Sequence, residues 1–146
     1  MSLVFSYPGG QIHEEKDSAV DGDQNTDITV PAGKTWIFQS LFVSLVANGA
    51  ANRRILCRTF NSSGELLDAG IQNDTNITDG QTRSLSLVNM TSPNDDQGIE
   101  QAGDYRGQFS FGGPLKAGDI VRIRIVSGLA ADKYEYRLRV RAIGGA

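Results

Sequence analysis

Apolar and polar residues alternate with period two along most of this chain, and the alternation is cleanest near its end. Val121, Ile123 and Ile125 alternate with Arg122 and Arg124, while Tyr134, Tyr136, Leu138, Val140 and Ala142 alternate with Glu135, Arg137, Arg139 and Arg141. Successive strand side chains point to opposite faces, so each run reads as a strand with one apolar face and one arginine-bearing face. The linker from Ser127 to Lys133 contains Gly128 and Asp132 and is short enough for an antiparallel hairpin. Paired in that way, the two strands gather Arg122, Arg124, Arg137, Arg139 and Arg141 on one surface.

The same reading predicts about eight strands: 27–30, 35–47, 53–60, 65–69, 82–89, 105–111, 120–126 and 134–143. Turn chemistry separates them, at Ala32-Gly33-Lys34, Asn48-Gly49, Ser63-Gly64, Asp79-Gly80, Gly112-Gly113-Pro114 and Ala117-Gly118-Asp119. Residues 11–20 could form a helical turn or two, without a cap or a firm apolar face. Many short strands with regular turns predict an all-β fold, an antiparallel β-sandwich whose strand count suits a jelly roll. Residues 1–27 read as an N-terminal arm and 28–146 as the sandwich.

One strand breaks the pattern. From Thr35 to Ala47, one parity reads Trp36, Phe38, Ser40, Phe42, Ser44 and Val46, the other Ile37, Gln39, Leu41, Val43 and Leu45. Both faces are largely apolar, whereas a sandwich strand needs only one such face. The second face, with Phe42 on it, is therefore expected to lie under the chain's own arm or under another subunit.

Composition narrows the classes without naming one. A chain of 146 residues can bury a core without staples, and 39% hydrophobic with 21% charged residues describes neither a disordered tail nor a membrane protein. Residues 1–8 lack the basic start and long apolar stretch of a secretory signal. The net charge is −3 but unevenly laid out. Glu14, Glu15, Asp17, Asp21, Asp23 and Asp27 stand against Lys16 alone in the first segment, Asp95, Asp96, Glu100 and Asp104 form a second acidic cluster, and the arginines crowd the end. A nucleic-acid binder is expected to be basic as a whole domain, which this chain is not. Contact between the acidic segments and the arginines, within or between subunits, is the better use of the pattern.

Catalytic chemistry is not in evidence. His13 is the single histidine and sits in the expected arm, so a nucleophile–histidine site has no ordered setting. Cys57, the single cysteine, alternates with Ile55 on one strand face and reads as a small buried hydrophobe. Asp21-Gly22-Asp23-Gln24-Asn25-Thr26-Asp27 opens like a calcium loop but has Thr26 at the sixth position and Ala32 at the twelfth, where glycine and glutamate are required. Asp68, Asp74 and Asp79 read as turn formers. The expectation is a non-enzyme with no cofactor and no metal.

The run Val30-Pro31-Ala32-Gly33-Lys34-Thr35-Trp36, the long apolar strand behind it, Ala51-Asn52-Arg53-Arg54 opening the next strand, and the late turn Leu115-Lys116-Ala117-Gly118-Asp119 together resemble a recurrent β-domain of tailed-bacteriophage structural proteins. The resemblance covers roughly Ile28 to Ile143 and implies a virion component of trimeric jelly-roll type, most specifically a capsid decoration (cement) protein. The implied partners are the major capsid protein and further copies of the same chain, on the exterior of the phage head after synthesis in the bacterial cytoplasm. The alternative is a tail or fibre adsorption module that reads host glycan, for which Tyr105 with Asp104 and Gln108 is the candidate cluster. Leu3, Val4, Phe5 and Tyr7, ahead of the Pro8-Gly9-Gly10 hinge, are expected to dock on the shell or on a neighbouring subunit. Phe42 and the five arginines are the other expected contacts.

Overall fold

The computed structural model describes residues 10–71, 76–88, 104–108 and 114–144. They form ten strands: β1 Gln11–Asp21, β2 Thr26–Thr29, β3 Thr35–Val46, β4 Arg54–Phe60, β5 Leu66–Ile71, β6 Thr82–Val88, β7 Asp104–Gln108, β8 Leu115–Lys116, β9 Ile120–Val126 and β10 Lys133–Ile143. One sheet runs β1-β10-β3-β6-β7, with β8 added to β3, and the other runs β2-β9-β4-β5. With β7 and β8 set aside, the eight principal strands pair first-eighth-third-sixth and second-seventh-fourth-fifth. That order is the jelly roll. The pairing is antiparallel throughout except for β6 and β7, which run parallel from Ser84↔Asp104 to Val88↔Gln108.

The core lies between the two sheets. Trp36, Phe38, Leu41, Val43, Leu45, Leu85, Leu87, Tyr134, Leu138 and Val140 come from the first sheet, and Ile28, Ile55, Cys57, Val121, Ile123 and Ile125 from the second. Burying each large side chain of this kind is worth roughly 1.5–3 kcal/mol relative to exposure, which is why period-two patterning decides the fold.

All eight expected strands are present, and four expectations need correction. Residues 11–21 are strand β1, not helix: Gln11 pairs with Ala142 and Asp21 with Lys133 along β10. The boundary drawn between an arm and a sandwich at 27/28 falls inside β2, so the described part of residues 1–27 is built into the sandwich. Residues 1–9, and with them Leu3, Val4, Phe5 and Tyr7, lie outside the described residues.

β9 and β10 do not form a hairpin; they belong to opposite sheets. The reason is in their apolar faces. Ile123 and Ile125 must face Leu138 and Val140 across the sandwich, which places the two arginine sets on its two outer sides. The linker crosses between layers, with Ser127 at φ 58 and Gly128 so close to Gly22 that an added Cβ would sit 2.0 Å from the Gly22 carbonyl oxygen.

The doubly apolar strand is explained by a β-bulge. Ser40 pairs with Arg139 and Phe38 with the next residue, Val140, leaving Gln39 as an extra residue on β3. A one-residue insertion flips every following side chain to the other face. Trp36 and Phe38 point inward before the bulge, and Leu41, Val43 and Leu45 point inward after it. β3 thus has one buried face, not two, and only Phe42 and Val46 stand exposed among its large apolar residues.

Candidate functional site

The arginines sit on two separate surfaces. On the outer side of the first sheet, Arg139 Nε donates to Glu14 Oε2 at 2.9 Å, with Arg137 Nε 3.9 Å and Lys16 Nζ 3.7 Å from Glu14 Oε1. The Arg139 hydrogen bond, aided by the charges of Arg137, Arg139 and Lys16, holds the Glu14 carboxyl below its ordinary pKa against a smaller opposing effect of burial. Lys133 is ion-paired with Asp21. On the outer side of the second sheet, Arg122 grips Asp27 with two hydrogen bonds, Nε to Oδ1 at 2.7 Å and Nη2 to Oδ2 at 3.0 Å, and its guanidinium lies 4.8 Å from the centre of the Phe60 ring. Arg58 approaches the same ring at 5.7 Å. Acidic residues of the first segment therefore meet the arginines within one chain. Asp95, Asp96 and Glu100, the other expected partners, lie outside the described residues.

Where the loops converge at one end of the sandwich, Arg53 and Asp132 form a fully buried pair, Nε to Oδ2 at 2.6 Å with both side chains 0% exposed. Their remaining valences are filled by backbone. Arg53 donates to the carbonyls of Ala51 at 3.0 Å and Gly49 at 2.7 Å. Asp132 accepts from the N–H groups of Asn48 and Leu129, each at 2.7 Å. The Gly22 N–H donates to the Asp132 carbonyl, and Arg53 exchanges two backbone hydrogen bonds with Ile77. Burial works to raise the Asp132 pKa, but the Arg53 hydrogen bond and charge and the two N–H donors together hold it below the ordinary carboxylate value. A second buried tie joins Tyr134 to the β1–β2 turn, its hydroxyl donating to Gln24 O at 2.9 Å and accepting from Thr26 Oγ1 at 2.6 Å.

A cleft of about 500 Å³ opens on the outer side of the first sheet, lined by Lys16, Asp17, Ser18, Phe42, Glu135, Tyr136 and Arg137. It forms where β1 bulges between Asp17 and Val20 against β10. The Asp17 Oδ1 atom accepts from the N–H groups of Ser18 at 2.6 Å and Ala19 at 3.3 Å, which turns the chain at that point.

The remaining sequence candidates are structural where they are described. Cys57 is buried, and burial pushes its thiol up to about 12. His13 bonds to Glu15 at 2.8 Å and packs its ring 5.4 Å from that of Trp36. Asp21 and Asp27, the ends of the calcium-like spacing, are held by Lys133 and Arg122. Among the described residues, no three His, Cys, Asp or Glu side chains are placed to share a metal ion. The side chains of Asp104, Tyr105 and Gln108 are not among those described.

Sequence reasoning missed the Arg53–Asp132 pair and the cleft. Both depend on contacts between segments far apart in the chain, which period-two patterning does not report.

No family model matches the chain, and comparison with curated proteins found no match. Among solved structures it is similar to a chain in "Structure of infectious bursal disease virus Gt strain", at 15% sequence identity and a TM-score of 0.32. The match covers 90% of this chain and 31% of the viral one, so the chain spans about a third of that protein's length.

Proposed function

We propose that this protein is a bacteriophage virion structural protein, a capsid decoration (cement) protein that binds the outer surface of the head as a homo-oligomer, most simply a trimer, and stabilises it. One observation carries the reading: the two turns that resemble the phage β-domain dock against each other. The Gly118 N–H donates to Val30 O at 3.0 Å, and the Val30 N–H donates to Asp119 O at 2.9 Å. β8 pairs with the start of β3 through Thr35↔Lys116 and Trp36↔Leu115. The Asp119 carboxylate closes its own turn by accepting from the Lys116 N–H at 2.7 Å. The signature residues thus form one piece of a jelly roll, a fold common in viral shells.

A decoration protein needs surfaces for its neighbours. Phe42 (39% exposed) stands on the first sheet opposite Arg137, Val46 (49% exposed) stands opposite Lys133, and Leu66 and Leu67 stand exposed on β5. Apolar anchors rimmed by arginine suit subunit or shell contacts. The segment with Leu3, Val4, Phe5 and Tyr7 is the proposed latch.

The test is where the purified protein binds. It should sediment with intact heads, label their exterior, and scatter light as an oligomer at micromolar concentration. A variant lacking residues 2–10 should keep its melting temperature and lose head binding. Binding to the host envelope with heads left bare would favour an adsorption module instead.

A further inference from the structure

We infer that the cleft beside Phe42 is a binding site for a neutral sugar ring. The inference shares Phe42 and Arg137 with the proposed contact surface but rests on the cleft's own chemistry, and it requires that part of the face to stay open to solvent.

A volume of about 500 Å³ is within the range of small-ligand sites, roughly 300–1,000 Å³. One wall is the exposed ring of Phe42, a flat apolar surface of the kind on which the C–H face of a pyranose packs. Around it stand groups with unused hydrogen-bonding capacity. Among the described residues, the Glu135 carboxylate and the Ser18 hydroxyl have no side-chain hydrogen-bond partner. A hydroxyl both donates and accepts, so a polyhydroxylated ring satisfies a carboxylate, a hydroxyl and an ammonium at once.

Other ligand classes fit less well. A purely apolar ligand would cover Glu135 and Ser18 without bonding them, at a desolvation cost. An anion would meet Asp17 and Glu135, and a cation would meet Lys16 and Arg137; the two positive and two negative groups cancel. A metal ion would lack a third ligand, since no such cluster exists among the described residues. The bulge at Asp17–Val20 creates the recess, and bulges recur where a sheet must present a site.

The experiment uses the full chain with lactose, maltose, N,N′-diacetylchitobiose and glucuronic acid, followed by saturation-transfer NMR and calorimetry. At least one neutral disaccharide should bind, and Phe42→Ala and Glu135→Ala should each weaken it by about tenfold or more while the melting temperature holds. Absence of binding by all three disaccharides, binding of glucuronic acid alone, or affinity untouched by both substitutions overturns the inference. So does an oligomer that Phe42→Ala splits while no sugar binds, which would make the face a subunit contact. Head binding is scored separately on the same proteins, so failure of the decoration reading leaves the sugar result standing, and the reverse.

Discussion

Arg53 and Asp132 lie 79 positions apart in sequence and meet at 2.6 Å with no solvent access, which makes them the tie between the β3–β4 loop and the β9–β10 crossover. Removing one partner of such a pair leaves a buried charge without compensation and costs about 3–5 kcal/mol. Asp132→Ala should therefore lower stability in urea by that order, and Arg53→Ala likewise. Replacing both with apolar residues should not restore the loss. The N–H groups of Asn48 and Leu129 and the carbonyls of Gly49 and Ala51 would still lack their partners. Full recovery in the double variant would refute that account.

The same carboxylate sets an acid limit. Its folded pKa lies below the unfolded value of about 3.9, so its contribution is complete above that value and is lost as pH falls through the depressed folded value. Glu14 acts in the same direction, weakly, because its pairs are exposed. The melting temperature should fall as the pH drops below about 4, and Asp132→Asn should flatten that fall as well as lower the neutral-pH value. An acid limb of equal steepness in the variant would place the titrating group elsewhere.

Deleting Gln39 removes the extra residue of the β3 bulge. Phe38 and Leu41 then stand two apart, so Trp36, Phe38, Leu41, Val43 and Leu45 keep one face and the shortened strand should still unfold cooperatively. Deleting Ser40 as well puts Phe38 and Leu41 on opposite faces and should abolish cooperative unfolding. Replacement of Gln39 with alanine, which keeps the residue count, should be tolerated. Point substitutions report the same geometry: Leu45→Asp should prevent folding, whereas Phe42→Asp should cost about 1 kcal/mol or less.

Gly128→Ala should destabilise more than Gly64→Ala. At Gly64, φ is +84 and nothing lies within 4 Å of an added Cβ, so only the left-handed backbone opposes it, by about 1–2 kcal/mol. At Gly128 the added carbon would overlap the Gly22 carbonyl, and the crossover would have to move off β1. Thermal melts of the two variants give the order directly.

Cys57 should be inert in the native state. The thiolate is the reactive form, and burial raises the pKa to about 12. An aromatic disulfide reagent at pH 8 should release colour only after urea unfolds the protein; native labelling at the rate of a free thiol would contradict the placement.

Strands with strict alternation were legible from sequence because burial of one face enforces period two. β9 and β10 are examples, and their inward residues are the expected ones. Their partnership was not legible: alternation tells which face is apolar but not which strand lies beside which, and a short linker fits a layer crossing as well as a hairpin. β3 misled for a different reason. A bulge and a two-faced strand give the same parity pattern, and only the register against Arg139 and Val140 separates them. The candidate surfaces were half legible. The arginines alternate visibly, but Glu14 and Asp27 became their partners through strand neighbours that no local pattern reveals.

β1 escaped notice because it has almost no apolar signal; its middle reads Glu14, Glu15, Lys16, Asp17, Ser18. That same poverty has a consequence for crowded conditions. Among the described residues β1 is the last strand of its sheet, and a sheet edge is a template for aggregation. Charges along the strand and the bulge at Asp17–Val20 make it a poor one, because an incoming strand would have to bring its backbone against desolvated carboxylates and an interrupted ladder. At high concentration this chain can thus present that border without its copies polymerising through it.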